Sequence, residues 1–354
     1  MKKGYLVLQD GRVFEGVRFG AETDAAGELV FHTGAGGFIE IMTDPACAGQ
    51  IVMQTYPLVG NYGIIHADEE GPCAMRGYVV RECCEAPSNF RTDCDLDSYL
   101  KEQGVPGLAG VDTRELTRIL REKGVMNALI CDEVPADLAV VQTYAVAGVV
   151  AEVTCKESAV YPAGGEEKFR VTLVDYGAKR STVAALQAMG CTVTVVPADT
   201  AAEEILAAKP DGVVLSAGPG DPMENAGRIA EVKKLLGSVP VFGMGLGHQL
   251  AALAAGAKTV KLKYGHHGAN QPVRDLNGER TYITSQNHLY AVDPDSIVEG
   301  AMSFANVNDG TCEGIDYPAW NAFTVQFDPA LCTGTRDANI LFERFATMMK
   351  GGEL

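Results

Sequence analysis

The sequence predicts a two-part α/β protein, with a β-rich amino-terminal half followed by a doubly wound carboxyl-terminal half. The first half opens with an alternating hairpin over residues 4–18, closed at an Asp10-Gly11 turn. From residue 170 onward, short apolar strands alternate with helical segments, which is typical of a parallel sheet covered on both faces. Proline, glycine and charged residues cluster between these halves. We therefore predict domains over residues 1–155 and 170–354, joined by a linker over 156–169.

The composition is that of an ordinary acidic globular protein. The net charge of −17 argues against nucleic acid or an anionic membrane surface as a partner. The first residues reach a polar turn too early for a signal-peptide core, and no window is apolar enough to span a bilayer. The ten cysteines include no Cys-x-x-Cys pair, so we expect reduced thiols, no metal site and a cytoplasmic location.

In the amino half, further strands are predicted over residues 28–32 and 50–56. The glycine-rich stretch over residues 33–40 lacks the Gly-Lys-Ser/Thr ending of a P-loop, so it is predicted to be a loop without phosphate. A helix begins after Asp112, because Glu115 follows at capping-box spacing, and it ends at Gly124. Its arginines are interpreted as a solvated face, and a docking surface stays open as an alternative.

In the carboxyl half, each strand precedes a helix. The predicted strands lie over residues 170–176, 192–197 and 212–216, and the predicted helices over residues 179–189, 201–208 and 224–236. Additional strands are predicted over residues 281–284 and 323–326, with a closing helix over 340–348. Ligands of such sheets bind beyond the carboxyl ends of the strands, where the chain has a loop over residues 217–222 and a second turn near 245.

The second turn has the layout of a nucleophile elbow. An apolar strand from Val239 is followed by glycines at 243, 245 and 247 and then by a helix. Such a turn holds one side chain at its tip and aims the free N–H groups of the helix at developing charge. Gly245 stands at the tip, where a cysteine or serine is expected. The elbow is therefore predicted without its nucleophile.

Motifs along essentially the whole chain resemble the small, glutamine-amidotransferase subunits of carbamoyl phosphate synthase. In the amino half they are Thr43-Asp-Pro, Thr55-Tyr-Pro, Gly60-Asn-Tyr-Gly, Ser88-Asn-Phe-Arg and Asp112-Thr-Arg-Glu-Leu-Thr-Arg. In the carboxyl half they are Asp175-Tyr-Gly-Ala-Lys, Gly218-Pro-Gly-Asp-Pro, Gly247-His-Gln-Leu, Lys263-Tyr-Gly-His-His-Gly and Ser285-Gln-Asn-His. Each motif is weak alone, but their number and order are specific. The resemblance implies a β-rich amino-terminal domain and a flavodoxin-like, class I glutamine amidotransferase domain.

The resemblance also implies a catalytic triad, which this chain lacks. In the family, a cysteine, a histidine and a glutamate hydrolyse glutamine, and the ammonia passes to a large, ATP-using partner. The matching positions here are Gly245 for the nucleophile, Asp328 for the base and Ala330 for the residue that orients the base. Three changes at one site predict a degenerate, inactive glutaminase centre.

The substrate pocket implied by the resemblance is also altered. Its remnant positions are Gly34, Gly218, Gly220, Leu246, Gln249, Asn287, Leu289 and Tyr290. Gly34 stands where the family has a serine, and Leu289 replaces a glycine that lets backbone approach the substrate. The other matches fit shared scaffold geometry at least as well as retained glutamine binding.

Four alternatives compete with a degenerate glutaminase. A relocated nucleophile at Cys312 or Cys332 is disfavoured because neither residue is on the elbow, and His248 and His288 match histidines that the family carries beside its triad. His266 and His267 belong to a family loop and resemble a metal pair only superficially. Dinucleotide binding is disfavoured because the three elbow glycines lack the Gly-x-Gly-x-x-Gly spacing. A free-standing protein that binds another small ligand stays open.

The sequence therefore predicts a carbamoyl phosphate synthase small subunit without glutaminase activity, in a complex that uses free ammonia, bicarbonate and ATP. The expected partner is the large subunit, in a heterodimer or a higher hetero-oligomer, and ATP and Mg are expected on that partner. No cofactor is expected on this chain. The sequence does not decide between arginine and pyrimidine synthesis.

Overall fold

The computed structural model describes residues 2–330 and 337–352. The chain divides into two compact units, Met1–Val149 and Val150–Leu354. The division falls at residue 149, six residues before the predicted end of the first domain. The predicted linker over 156–169 also holds a strand, Ala159–Tyr161, which pairs with the strand Cys191–Pro197.

The first unit is built around a closed β-barrel. Its strands are β1 (Lys3–Leu8), β2 (Val13–Gly20), β3 (Ala25–His32), β4 (Gln50–Gln54), β5 (Leu58–Val59), β6 (Gly77–Val79), β7 (Glu82–Cys83), β8 (Pro106–Ala109) and β9 (Met126–Cys131). Its helices are α1 (Phe38–Met42), α2 (Leu96–Glu102), α3 (Thr113–Lys123) and α4 (Ala139–Gln142). The barrel order is β1-β2-β8-β6-β4-β3-β9, and β5 pairs with β7 outside it. The β-rich amino half is thus confirmed.

Two local predictions in this unit are confirmed. The hairpin of β1 and β2 pairs Leu6 with Phe14 across the predicted turn. Helix α3 begins after Asp112, whose carboxylate accepts hydrogen bonds from the N–H groups of Arg114 and Glu115, and it ends at Gly124 with φ +94°. The glycine-rich stretch differs from the prediction, because its last residues form α1, which begins at Phe38 after Gly37.

The second unit alternates strands and helices. Its strands are β10 (Ala159–Tyr161), β11 (Phe169–Asp175), β12 (Cys191–Pro197), β13 (Gly212–Leu215), β14 (Val241–Met244), β15 (Thr259–Asp275), β16 (Thr281–Val292), β17 (Ala301–Asn306), β18 (Cys312–Tyr317) and β19 (Ala322–Val325). Its helices are α5 (Val150–Val153), α6 (Arg180–Ala188), α7 (Ala202–Ala207), α8 (Ala226–Leu235), α9 (Leu246–Ala254) and α10 (Ile340–Met349).

The parallel part of this sheet has the flavodoxin-like order. Strands β12, β11, β13, β14 and β19 lie side by side and run parallel, so the spatial order is 2-1-3-4-5. Beyond β19 the sheet continues with the antiparallel strands β18, β16, β15 and β17. The predicted doubly wound, flavodoxin-like architecture is confirmed.

Alternate residues of the central strands face opposite sides of the sheet, as the period of a strand requires. On one face, Leu215 and Val241 pack with apolar residues of α7, α8 and α9. On the other, Val214 and Phe242 pack with residues of α6 and α10. Phe242 stacks on Phe323 of β19 with ring centroids 4.4 Å apart. These two cores fix the carboxyl ends of β14 and β19 beside each other.

The long hairpin of β15 and β16 exceeds the prediction, which placed only a short strand over residues 281–284. Its first strand carries glycines, histidines and lysines in place of an alternating apolar pattern.

Within the described ranges, the structure contains no helix with the length and apolarity that a bilayer crossing requires.

Candidate functional site

The elbow forms where β14 ends and α9 begins. Gly245 is the residue between them, and its N–H donates to the carbonyl of Val325 on the neighbouring strand β19 (2.9 Å). Its backbone has φ +52° and ψ −113°, a left-handed conformation that favours glycine. The strained turn of a nucleophile elbow is therefore retained, although its tip has no side chain.

Ala217 limits what the tip can hold. A Cβ built on Gly245 would lie 2.9 Å from the Cβ of Ala217 and 3.2 Å from its Cα. A cysteine at this position therefore requires the loop after β13 to move by a few tenths of an ångström. Sequence reasoning missed Ala217, because its proximity to the elbow depends on two loops that meet only in the folded sheet.

The residue at the base position, Asp328, lies just beyond β19. Its N–H donates to the carbonyl of Ser285 (3.0 Å), and one carboxylate oxygen accepts the N–H of Ala330 (2.9 Å). The other carboxylate oxygen forms an ion pair with the ammonium of Lys179, at the start of α6. Both side chains are mostly buried, 13% and 14% exposed. Lys179 was named only as part of a motif, and no spacing in the sequence links it to Asp328.

Ala330 has only a methyl group at the orienting position. Such a side chain neither accepts a hydrogen bond nor carries charge, so it cannot hold a histidine in one tautomer. The three positions that the family resemblance assigns to the triad thus hold a backbone turn without a side chain, a carboxylate paired with a lysine, and a methyl group. This arrangement contains no nucleophile for acyl transfer.

Gln249, on α9, uses its amide hydrogens inside the protein. Its Nε2 donates to the carbonyl of Tyr290 (2.7 Å) and to Oε1 of Gln326 (2.9 Å). Gln249 is buried, with 3% of its surface exposed. Because an amide nitrogen has two hydrogens, no donor of this side chain is left for a ligand.

Leu289 is buried where the family resemblance implies a glycine. Its Cδ2 lies 2.8 Å from the position that a Cβ on Gly265 would occupy, so the side chain packs over that glycine of β15. The neighbouring Asn287 holds its side-chain oxygen 2.7 Å from Nδ1 of His267. The remnant pocket on β16 is therefore packed with side chains of this chain.

The remaining remnant positions on the second unit act as scaffold. Gly218 lies against the elbow helix, since a Cβ there would approach the carbonyl oxygen of Tyr176 to 2.4 Å and Leu246 to 3.0 Å. Gly220 has φ +87°, which the loop requires. Leu246 is buried at the first position of α9. These contacts maintain the elbow whether or not a ligand binds.

Gly34 belongs to the first unit, on the segment between β3 and α1. Its N–H donates to Nδ1 of His32 (3.1 Å), and its carbonyl accepts from Gln54. Farther along this segment, the hydroxyl of Tyr62 accepts the N–H groups of Gly37 (3.0 Å) and Phe38 (3.2 Å). Those N–H groups are satisfied by the protein, which supports a loop without phosphate.

Of the two cysteines considered as a relocated nucleophile, the structure describes Cys312. Cys312 is buried at the start of β18, and burial raises the pKa of its thiol to about 12, so it is protonated at neutral pH. Cys332 lies outside the described residues.

His248 is fully buried, and its Nδ1 shares a hydrogen bond with the hydroxyl of Thr324 (2.7 Å). Burial lowers the pKa of this histidine to about 3. His248 therefore acts as a neutral structural histidine.

A second histidine cluster lies on the antiparallel extension. His266 of β15 faces His288 of β16 across the strand pair, and Glu313 of β18 reaches the same point. Burial opposes protonation of His266, but hydrogen bonds with Asp309 and Glu313 outweigh it and raise the pKa to about 9. Burial raises the pKa of Glu313 and lowers that of His288. The sequence analysis dismissed His266 and His267 as a metal pair, and in the structure His266 lies across from His288 instead.

Two family models match the chain. The model described as carbamoyl-phosphate synthase small chain, CPSase domain, matches residues 6–130, and the model described as glutamine amidotransferase class-I matches residues 172–348. Curated proteins named carbamoyl phosphate synthase small chain are similar over almost the whole length. That of Oceanobacillus iheyensis is 44% identical, over 100% of this chain and 98% of its own. The Bacillus cereus protein is 46% identical over 98% of this chain and 96% of its own length.

Proposed function

The chain belongs to the carbamoyl phosphate synthase small-chain family, and we propose that it is a member without glutaminase activity, whose complex takes nitrogen from free ammonia. Membership implies a large-subunit partner. The observation that carries the proposal is the tip of the elbow, where Gly245 keeps the strained backbone but supplies no atom to attack glutamine.

The other two triad positions support the same conclusion. A carboxylate only accepts hydrogen bonds when ionised, and that of Asp328 is already paired with Lys179. Ala330 provides no orienting group. Removing single triad members costs ~10⁴-fold or more in a related three-residue mechanism, so the combined loss leaves no efficient route through a thioester.

The packed remnant pocket supports loss of glutamine binding as well. The donors of Gln249 are used by Tyr290 and Gln326, and Leu289 is buried over Gly265. A ligand amide would have to displace these contacts and leave buried groups unpaired, at a cost of about 1–3 kcal/mol for each group.

In this proposal the chain is a structural or regulatory subunit of a cytoplasmic hetero-oligomer with the large subunit. ATP and Mg bind on that partner, together with bicarbonate. The nine cysteines in the described part of the chain are free thiols, which fits a reducing compartment. The product, carbamoyl phosphate, feeds arginine or pyrimidine synthesis.

The test reconstitutes the chain with its large subunit and measures carbamoyl phosphate with glutamine or ammonium as nitrogen donor. We expect product with ammonium, no product above background with glutamine, and no release of glutamate. Glutamate release that requires Cys332, and is lost in Cys332→Ala, would contradict the proposal. Failure of the chain to bind any large subunit from its own organism would favour a free-standing ligand-binding protein.

A further inference from the structure

The side chains of His266, His288 and Glu313 form a cluster that is separate from the degenerate glutaminase positions. All three residues are buried, and each offers one ligand atom within 4.8 Å of the others, the only such group found among the described residues. Nδ1 of His266 lies 3.4 Å from Oε1 of Glu313. Two ligands on a tetrahedral zinc ion with bonds of about 2.0–2.1 Å are themselves separated by about 3.4 Å.

A fourth possible ligand atom contacts both rings of this group. Oε1 of Gln286 lies 2.8 Å from Nδ1 of His266 and 3.0 Å from Nε2 of His288. Nε2 of Gln286 donates to Oε2 of Glu313 (2.8 Å) and to the hydroxyl of Thr284 (3.1 Å), which aims the amide oxygen at the two rings.

The contact between Gln286 and His288 is electrostatically mismatched. Nδ1 of His288 lies 2.8 Å from the carbonyl of Tyr290, which only accepts, so this nitrogen carries the ring hydrogen. In the neutral ring, Nε2 then presents a lone pair to the amide oxygen of Gln286. Two acceptors at 3.0 Å repel each other unless a cation or a proton lies between them.

The outer contacts hold the rings as metal sites require. A histidine ligand usually gives its other ring N–H to a carboxylate or a backbone carbonyl, which fixes the tautomer. His266 does so with Asp309 (Nε2 to Oδ2, 2.9 Å), and His288 does so with Tyr290. Oε1 of Glu313 accepts a hydrogen bond from Nδ2 of Asn306 (3.2 Å). Thr311 donates its hydroxyl to Asp309 at 2.8 Å, the shorter of its two contacts, so the second lone pair of Oε1 is left for a ligand bond.

We propose that Nδ1 of His266, Nε2 of His288, Oε1 of Glu313 and Oε1 of Gln286 form a structural zinc site that joins β15, β16 and β18. Two imidazoles and one carboxylate suit a borderline ion such as Zn²⁺, and a fourth protein ligand leaves no open position for catalysis. Binding displaces the Nδ1 proton of His266 into solvent, so metal uptake releases protons. This inference replaces the expectation that the chain holds no metal.

The experiment titrates the full chain, stripped with a chelator, with Zn²⁺ in a calorimeter under reducing conditions. We expect one equivalent of zinc per chain and a higher melting temperature with the metal. Glu313→Gln should abolish tight binding. Asp309→Asn should weaken it about 10–100-fold, because Asp309 touches the metal only through His266.

Matched controls separate this site from adventitious binding. His66→Gln removes an exposed histidine paired with Glu69 and should leave the affinity unchanged. Co²⁺ as a probe should give visible absorption of a tetrahedral site without the intense sulfur-to-metal band of thiolate ligands. Absence of stoichiometric binding, or tight binding unchanged by both Glu313→Gln and Asp309→Asn, would show that the group is a hydrogen-bonded network only. The thiolate band would assign the metal to cysteines and overturn the proposal.

Discussion

Lys179 and Asp328 form an ion pair at the position that the family resemblance assigns to the catalytic histidine. The lysine comes from the start of α6, and the aspartate from the segment beyond β19. Since each side chain is about seven-eighths buried, the pair is protected from much of the screening that weakens surface ion pairs.

Breaking this pair should destabilise the second unit. Within the part of the chain that the structure describes, Lys179→Met leaves the buried Asp328 carboxylate with the N–H of Ala330 as its hydrogen-bond donor, so we expect a loss of about 1–3 kcal/mol in unfolding free energy. Denaturant titration measures it. As a control, Lys101→Met removes the exposed partner of Asp97 on α2 and should lower the unfolding free energy much less than Lys179→Met does. An equal loss of unfolding free energy in the two variants would show that burial does not strengthen the ion pair of Lys179 and Asp328.

Restoring the nucleophile alone should not restore glutamine hydrolysis. Gly245→Cys introduces a Cβ at 2.9 Å from Ala217, and the base position still holds the paired Asp328. We expect no glutamate release and a loss of stability of about 1–3 kcal/mol from the strained backbone. The triple variant Gly245→Cys, Asp328→His, Ala330→Glu should release glutamate at least about 100-fold faster than the single variant. Comparable rates in both would contradict this account of the base position.

Leu289 should limit glutamine binding even in a restored centre. Adding Leu289→Gly to the triple variant removes the side chain over Gly265, so we expect KM for glutamine to fall about tenfold or more. Ile283→Gly, at an exposed position of the same strand, carries a similar backbone cost and should not lower KM. An unchanged KM after Leu289→Gly would place the obstruction elsewhere.

His248 should make stability fall in acid. Burial lowers its folded-state pKa from 6.5 to about 3, so between these values the unfolded chain binds a proton that the folded chain does not. The stability that the folded state gains from a neutral, buried His248 is therefore fully present above pH 6.5, and it is lost as the pH falls toward about 3. His248→Gln should reduce the slope of unfolding free energy against pH by about 1.4 kcal/mol per pH unit in this window. The slope is the readout, because the variant also changes absolute stability. Parallel wild-type and variant curves would contradict the assignment.

Phe90 is a candidate contact for the large subunit. The side chain is 99% exposed, on a loop fixed by hydrogen bonds from Ser88 to Asn61 and from Arg91 to Asp68. Exposed aromatic residues on ordered loops are frequent interface anchors, so Phe90→Ala should weaken association with the large subunit about tenfold or more. Val298→Ala, at a 74% exposed position of the second unit, serves as the control. An unchanged dissociation constant for Phe90→Ala would exclude this loop from the interface.

The sequence predicted the architecture where local signals are strong. Turn chemistry located the first hairpin, the Asp112 cap located α3, and strand-helix alternation located the parallel sheet. The elbow was recognisable because its glycines mark a strand-to-helix turn. The hairpin of β15 and β16 was underestimated, since its polar residues are paired with one another across strands rather than packed on an apolar core.

Contacts between distant segments could not be predicted from the sequence, for a physical reason. Lys179 meets Asp328, and His266 meets Glu313, only because parallel and antiparallel strands bring their ends to common points of one sheet. No periodicity or spacing encodes those pairs. The three triad positions are implied by the family resemblance and stay a prediction, whereas the packing of Ala217 against the elbow is visible only in the folded structure.

The bare tip at Gly245 also has a pharmacological consequence. An electrophilic glutamine analogue that acts by alkylating a cysteine thiolate at an elbow finds no sulfur at Gly245. Within the proposed function, an organism that makes its carbamoyl phosphate through this chain alone would be resistant to such inhibitors at this step. Its growth would instead depend on the supply of ammonium.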